Sequence, residues 1–233
     1  MTASLLKQSL LFFAASIPAW LLAASAGADP ALLVYRCAIA ESASTETISG
    51  EEILARQPEK VRRALGKRGF SSPAALATSE VECQGFIQAI VVFEQPRQKT
   101  LELLAQTHRQ MEFLPNLRNV RSVARHENES LDHHEIKIIF TKLEYRVRNH
   151  WSHEEWTMWW HLEPGYANDM ASLDGYWRFY ELADGGTVAI YASRIDVGPY
   201  LPASLQASLS RKKLEESLRH FRSWVNSGGS YRP

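Results

Sequence analysis

Through the second half of the chain, apolar and polar positions alternate with a period of two. Ile136, Ile138 and Phe140 interleave with Glu135, Lys137 and Ile139, and Tyr145 and Val147 with Arg146 and Arg148. Trp156, Met158, Trp160 and Leu162 interleave with Thr157, Trp159 and His161. Trp177 and Phe179 do so with Tyr176, Arg178 and Tyr180, and Val188, Ile190 and Ala192 with Ala189, Tyr191 and Ser193. Alternation among β-branched and aromatic residues marks half-buried strands, because successive side chains leave opposite faces. Asn128, Pro164-Gly165 and Asp184-Gly185-Gly186 supply turn chemistry, the last a hairpin signal. A first strand over residues 85–93 and a helical stretch over 96–111 precede these runs.

Beyond Pro199 and Pro202 the period lengthens. Leu205, Leu209, Leu214, Leu218, Phe221 and Val225 recur at helical spacing, while Arg211, Lys212, Glu215, Glu216 and Arg222 load the other side. Gly228-Gly229 ends the helix. A strongly curved antiparallel sheet cannot bury its concave face against itself. One long helix laid across it covers that face incompletely and leaves an apolar cavity.

The first 80 residues read differently. Lys7 precedes an apolar run over residues 10–22, and Ala26-Gly27-Ala28 offers small residues for a signal peptidase. That run is short for a membrane span and Pro18 interrupts it. It predicts a signal peptide over 1–28 and export, with an uncleaved anchor as the alternative. Residues 29–80 form an N-terminal extension, partly helical: Ser49-Gly50-Glu51-Glu52 opens a helix reaching about Leu65, which Pro58 splits or ends. The ligand-binding domain is expected over 81–226, followed by a flexible tail over 227–233. Cys37 and Cys83 could form one disulfide in an oxidising compartment or remain two thiols.

Composition narrows the partners. The chain has 233 residues, 45% hydrophobic, with zero formal net charge, so nothing suggests a nucleic-acid surface. The histidines do not make a metal motif: His133-His134 are adjacent, His150 and His153 flank a predicted turn, and HExxH is absent. No nucleophile elbow or phosphate-binding glycine loop is present. Neither cofactor nor metal is predicted.

Aromatic residues are dense over 156–191. They line a pocket, fill core or cover the convex face, and alternation forbids Trp159 and Trp160 from sharing a face. The candidate ligand contacts are Trp160, Trp177, Tyr180, Tyr191 and Arg178 from the strands, with Leu205, Leu209 and Phe221 from the helix. Glu135, Glu144, Arg178, Arg194 and Asp196 are candidate acid–base groups if they face inward. Arg178 with Asp196 is the candidate pair, a structural ion pair or solvent exposure the alternative.

Ile90-Val91-Val92-Phe93-Glu94-Gln95-Pro96, Leu103-Leu104 and Phe113-Leu114-Pro115-Asn116-Leu117 together resemble the opening of the SRPBCC (START-like) superfamily. The likeness is to its coenzyme-Q-binding and polyketide cyclase branches. Trp160-His161-Leu162-Glu163-Pro164-Gly165, Gly175-Tyr176-Trp177-Arg178 and Tyr191 continue it, over about three-fifths of the chain. The resemblance implies an α+β helix-grip fold, a curved seven-stranded antiparallel sheet wrapped around a long C-terminal helix. It implies a hydrophobic ligand: lipid, isoprenoid quinone, sterol or polyketide. The expectation is an exported, periplasmic carrier of such a molecule, with transient membrane contact compatible with that role. The alternative is a cyclase or dehydratase using cavity polar groups, since members of the superfamily that carry and members that catalyse share the fold.

Overall fold

The computed structural model describes residues 30–39, 48–71, 86–138, 141–198 and 203–233, and of 30, 33, 138, 141 and 203–212 only the backbone. The predicted signal peptide lies outside these residues. Helices α1 (Pro30–Ile39), α2 (Gly50–Ala55) and α3 (Glu59–Arg68) lead into a two-residue strand, β1 (Phe70–Ser71). Then come β2 (Ile87–Phe93), α4 (Arg97–Leu104) and a 3-10 helix (Thr107–Glu112). Six strands follow: β3 (Leu117–His126), β4 (Glu129–Ile138), β5 (Thr141–Ser152), β6 (Thr157–Leu162), β7 (Ser172–Glu181) and β8 (Thr187–Asp196). Helix α5 (Ala203–Asn226) is the last element.

The strands make one antiparallel sheet in the order β1-β2-β8-β7-β6-β5-β4-β3. The seven strands expected are present, and the extension adds β1 as an eighth. Its pairing with β2, Phe70 opposite Val91, covers an edge that would otherwise be open to other chains. Two register shifts in β3, at Leu117/Asn119 and Ser122/Ala124, bend and twist the sheet's far edge.

Local chemistry explains the joints. Ser49 and Glu52 form a reciprocal capping box that starts α2, and Pro58 separates α2 from α3. Asp184 accepts from the Gly186 N–H at 2.9 Å and Gly185 adopts φ 85°, which closes the β7–β8 hairpin. Trp156, expected to open a strand, sits instead in the turn before β6 with φ 52°, its ring under the Arg97 guanidinium at 3.9 Å. The cation–π contact and the packing of that ring on the core hold a conformation that an aromatic residue rarely adopts.

Two apolar cores flank the sheet. On the concave side, Phe93, Leu101, Phe113, Trp177, Leu218 and Trp224 pack between sheet, α4 and α5. On the convex side, Val34, Cys37, Ile53, Val61, Tyr176 and Ile190 join α1, α2 and α3 to the sheet. The extension is therefore a third layer.

Candidate functional site

The concave layer is not filled. A cavity of about 540 Å³ lies between sheet and α5, a size usual for small-molecule sites. Its walls include Tyr145, Met158, Trp160, Trp177 and Tyr191 from the strands, and Leu214 and Phe221 from α5. Each strand residue comes from the inward set of its alternating run, so pleat geometry alone lines the void.

One glycine shapes the aromatic wall. Gly175 pairs with Trp160 across β6 and β7, and a Cβ there would stand 2.3 Å from the Trp160 ring and 2.5 Å from the Ala192 carbonyl. Trp160 thus lies flat over a side-chain-free strand position. Tyr191 meets Trp177 edge-on at 4.7 Å and Trp160 at 5.7 Å. Burial pushes the Tyr191 hydroxyl up to about 12 and raises that of Tyr145 as well.

Along β4 and β5 the wall turns polar. Asp132 is fully buried, and its Oδ2 accepts from Thr107, from Ser130 at 2.9 Å and from Asn149 Nδ2 at 3.0 Å. His134 lines the cavity and stacks on Tyr145 at 5.2 Å with an interplanar angle of 10°. Desolvation pulls its imidazole down to about 4; Asp132 opposes this and His133 adds to it. Asn116, Lys137, Ile195 and Lys213 line the cavity and are exposed, which marks the opening. Phe113 anchors the segment leading to Asn116 by stacking on Trp224 at 4.7 Å. Tyr200 and Leu201 lie outside the described residues.

Of the candidate ligand contacts, Trp160, Trp177, Tyr191 and Phe221 line the cavity together. Leu205 and Leu209 lie where only backbone is described. Arg178 and Tyr180 do not belong to this set. They alternate with Trp177 and Phe179, so β7 carries them on the convex face, where Arg178 Nη1 donates to Tyr180 Oη at 3.3 Å. The pairing of Arg178 with Asp196 fails on register: Arg178 stands opposite Ile190 and Asp196 opposite Ser172. Arg194 instead pairs with Asp174 at 2.6 Å. Glu135 and Glu144 both pair with the exposed Lys142 at 2.8 Å, outside the cavity.

His150 stacks between Trp159 and His161 on the convex face. Among the described residues no group of three or more His, Cys, Asp or Glu is placed to hold a metal ion. Reasoning from sequence alone misses Asp132, His134, Tyr145 and Asn149 as site residues. Their signal is nonetheless present: each occupies an inward position of an alternating strand, where a polar side chain needs a reason.

No protein-family model and no curated protein matches the sequence. Solved structures do match in shape. A STAR-related lipid transfer protein from Xanthomonas axonopodis superposes with a TM-score of 0.55 at 14% identity, covering 67% of this chain and 98% of its own. A protein from Thermus thermophilus gives 0.53 at 14% identity, with 62% and 96% covered. A START superfamily protein from Mycobacterium smegmatis gives 0.51 at 11%, with 61% and 97% covered. The fold is START-like. At such identities the likeness is one of fold, and the START-like part accounts for about two-thirds of the chain.

Proposed function

We propose that the protein binds a hydrophobic small molecule in the cavity between sheet and α5 and carries it as an exported protein. The cavity itself carries this reading. Protein interiors are close-packed, and a void of about 540 Å³ walled by Trp160, Trp177, Tyr191 and Phe221 is far larger than packing defects leave. Its opening at Lys137, Ile195 and Lys213 connects it to solvent. The Xanthomonas protein of similar fold is described as a lipid transfer protein, which makes a lipid the first ligand class to test. The apolar run over residues 10–22 would export the chain, and a lipid crossing an aqueous compartment needs shielding.

The cyclase alternative asks for cavity groups tuned to exchange protons near neutral pH. His134 is shifted down, and Tyr145 and Tyr191 up. All three stay neutral across the physiological range, which suits holding an apolar molecule and not moving protons.

The test is native mass spectrometry of protein purified from its own cells, beside a Leu214→Trp variant that fills the void from α5. The wild type should retain a lipid-soluble adduct, released by organic extraction, and the variant should fold but lack it. An adduct of equal occupancy in both would overturn the reading, as would failure of the wild type to bind any apolar probe.

A further inference from the structure

The deep wall of the cavity has a hydrogen-bonding sense that its apolar lining does not reveal. Asn149 is buried in β5, lines the void and donates through Nδ2 to Asp132 Oδ2 at 3.0 Å and to Ser130 Oγ at 3.2 Å. Asp132 Oδ2 is an acceptor, taking hydrogen bonds from Thr107 and Ser130 as well, so the amide nitrogen faces it and the sense of the Asn149 side chain follows. The amide oxygen is left as an acceptor, and no donor among the described residues is bonded to it.

Neighbouring groups are also short of partners. Asp132 Oδ1 and both ring nitrogens of His134 are buried with no hydrogen-bond partner among the described residues. Asp132 is wholly buried and His134 is 6% exposed. Native interiors leave few such groups unpaired, and those that remain call for an explanation. Here they lie on one face of β4, beside a void large enough for a ligand.

Depth matters as well. Ser130, opposite Asn149, is seven residues along β4 from Lys137 at the opening. At the rise of a strand that is roughly 23 Å. Between the two ends the wall of β4 and β5 carries Ile136, Tyr145 and Val147, with the tyrosine hydroxyl and the His134 imidazole as its polar groups.

We propose that the ligand is a long apolar molecule with a terminal hydroxyl, which enters head-first and donates to Asn149 Oδ1 at the deep end. Asp132 and Ser130 are positioning residues that hold the amide in that sense. The inference rests on the cavity being a ligand site and specifies the head group that it selects.

The experiment compares hexadecanol, hexadecyl methyl ether and hexadecane, delivered from cyclodextrin, as competitors of anilinonaphthalene sulfonate bound to the full chain. Only the alcohol can donate. It should compete roughly tenfold more tightly than the ether or the alkane, the size of one buried hydrogen bond. Asn149→Leu should abolish that preference, so that the alcohol competes no better than the ether. If the variant does not fold, the wild-type comparison decides alone. Equal competition by all three probes would overturn the head-group assignment and leave the cavity as a site. Absence of binding by every probe would overturn both.

Discussion

Arg178 Nη2 donates to the Cys37 carbonyl at 2.6 Å, joining residues 141 positions apart in the chain. Its Nε donates to the adjacent Ala38 carbonyl at 2.7 Å, so one guanidinium caps the C-terminal end of α1. Carbonyls at a helix end lack intrahelical partners and carry partial negative charge, and a buried cation there satisfies both needs. Tyr35 packs on Trp159 at 4.9 Å from the same helix. The convex side of β6 and β7 is thus built to hold the extension, with Arg178 at its centre.

Arg178→Met should therefore release the extension and spare the cavity. Removing two charge-assisted bonds to buried carbonyls should cost roughly 3 kcal/mol. Limited proteolysis should cut first within residues 29–71, and the melting temperature should fall. Affinity for an apolar probe should stay within about twofold, since Arg178 lies across the sheet from the void. A large loss of affinity with α1 still protected would return Arg178 to the site.

Cys37 is disulfide-bonded and buried in the same convex core. The chain's other cysteine, Cys83, lies outside the described residues. A bridge between them closes a loop of about 45 residues, which chain entropy values at about 4 kcal/mol. Thiol titration of unfolded protein should find no reactive thiol until reductant is added. Reduction should lower the melting temperature by an amount that Cys37→Ala reproduces. Two reactive thiols before reduction would exclude the bridge in solution.

The order of elements is legible in the sequence because period-two alternation and turn residues are local signals. Trp160, Trp177 and Phe221 follow from it, as inward members of their runs. Arg178 and Tyr180 do not belong with them, since the same alternation puts them opposite Trp177. Grouping them by composition, as aromatic and cationic residues in one stretch, overrides the parity of the strand. β1 is not legible either, since two residues carry no period and Phe70-Ser71 is a strand only because β2 lies beside it. The pairing of Asn149 with Asp132 joins two strands and depends on a register that no local pattern states. Periodicity assigns Arg222 to the polar side of α5, yet its Nε donates to the Val92 carbonyl at 2.9 Å, because β2 passes beneath that side.

Gly175 tests how the aromatic wall is built. Gly175→Ala should force the Trp160 ring off the strand, costing about 3 kcal/mol as an overpacked core does. Tryptophan fluorescence should change with it. Combined with Trp160→Ala, which removes the clashing ring, the cost should fall well below the sum of the single effects, with part retained because the Ala192 carbonyl remains close. Strict additivity of the two substitutions would mean that Trp160 is not held by that contact.

His134 sets an acid limit on the fold. Its imidazole is pulled from 6.5 to about 4 by burial, between Asp132 and Tyr145, with His133 adjacent. The unfolded chain binds a proton near pH 6.5 and the folded chain does not until about pH 4. Between those values the unfolded state carries more protons, so stability falls as pH falls. The contribution is intact above about pH 6.5 and is lost progressively down to about pH 4. At roughly 1.4 kcal/mol per pH unit, it amounts to about 3 kcal/mol. Urea unfolding at a series of pH values, wild type against His134→Gln, isolates it from carboxylates that titrate in both. The difference between the two curves should be flat above about pH 6.5 and shift by about 3 kcal/mol in favour of the variant by about pH 4. A difference that stays flat throughout would place the imidazole in contact with water, where the structure buries both of its ring nitrogens.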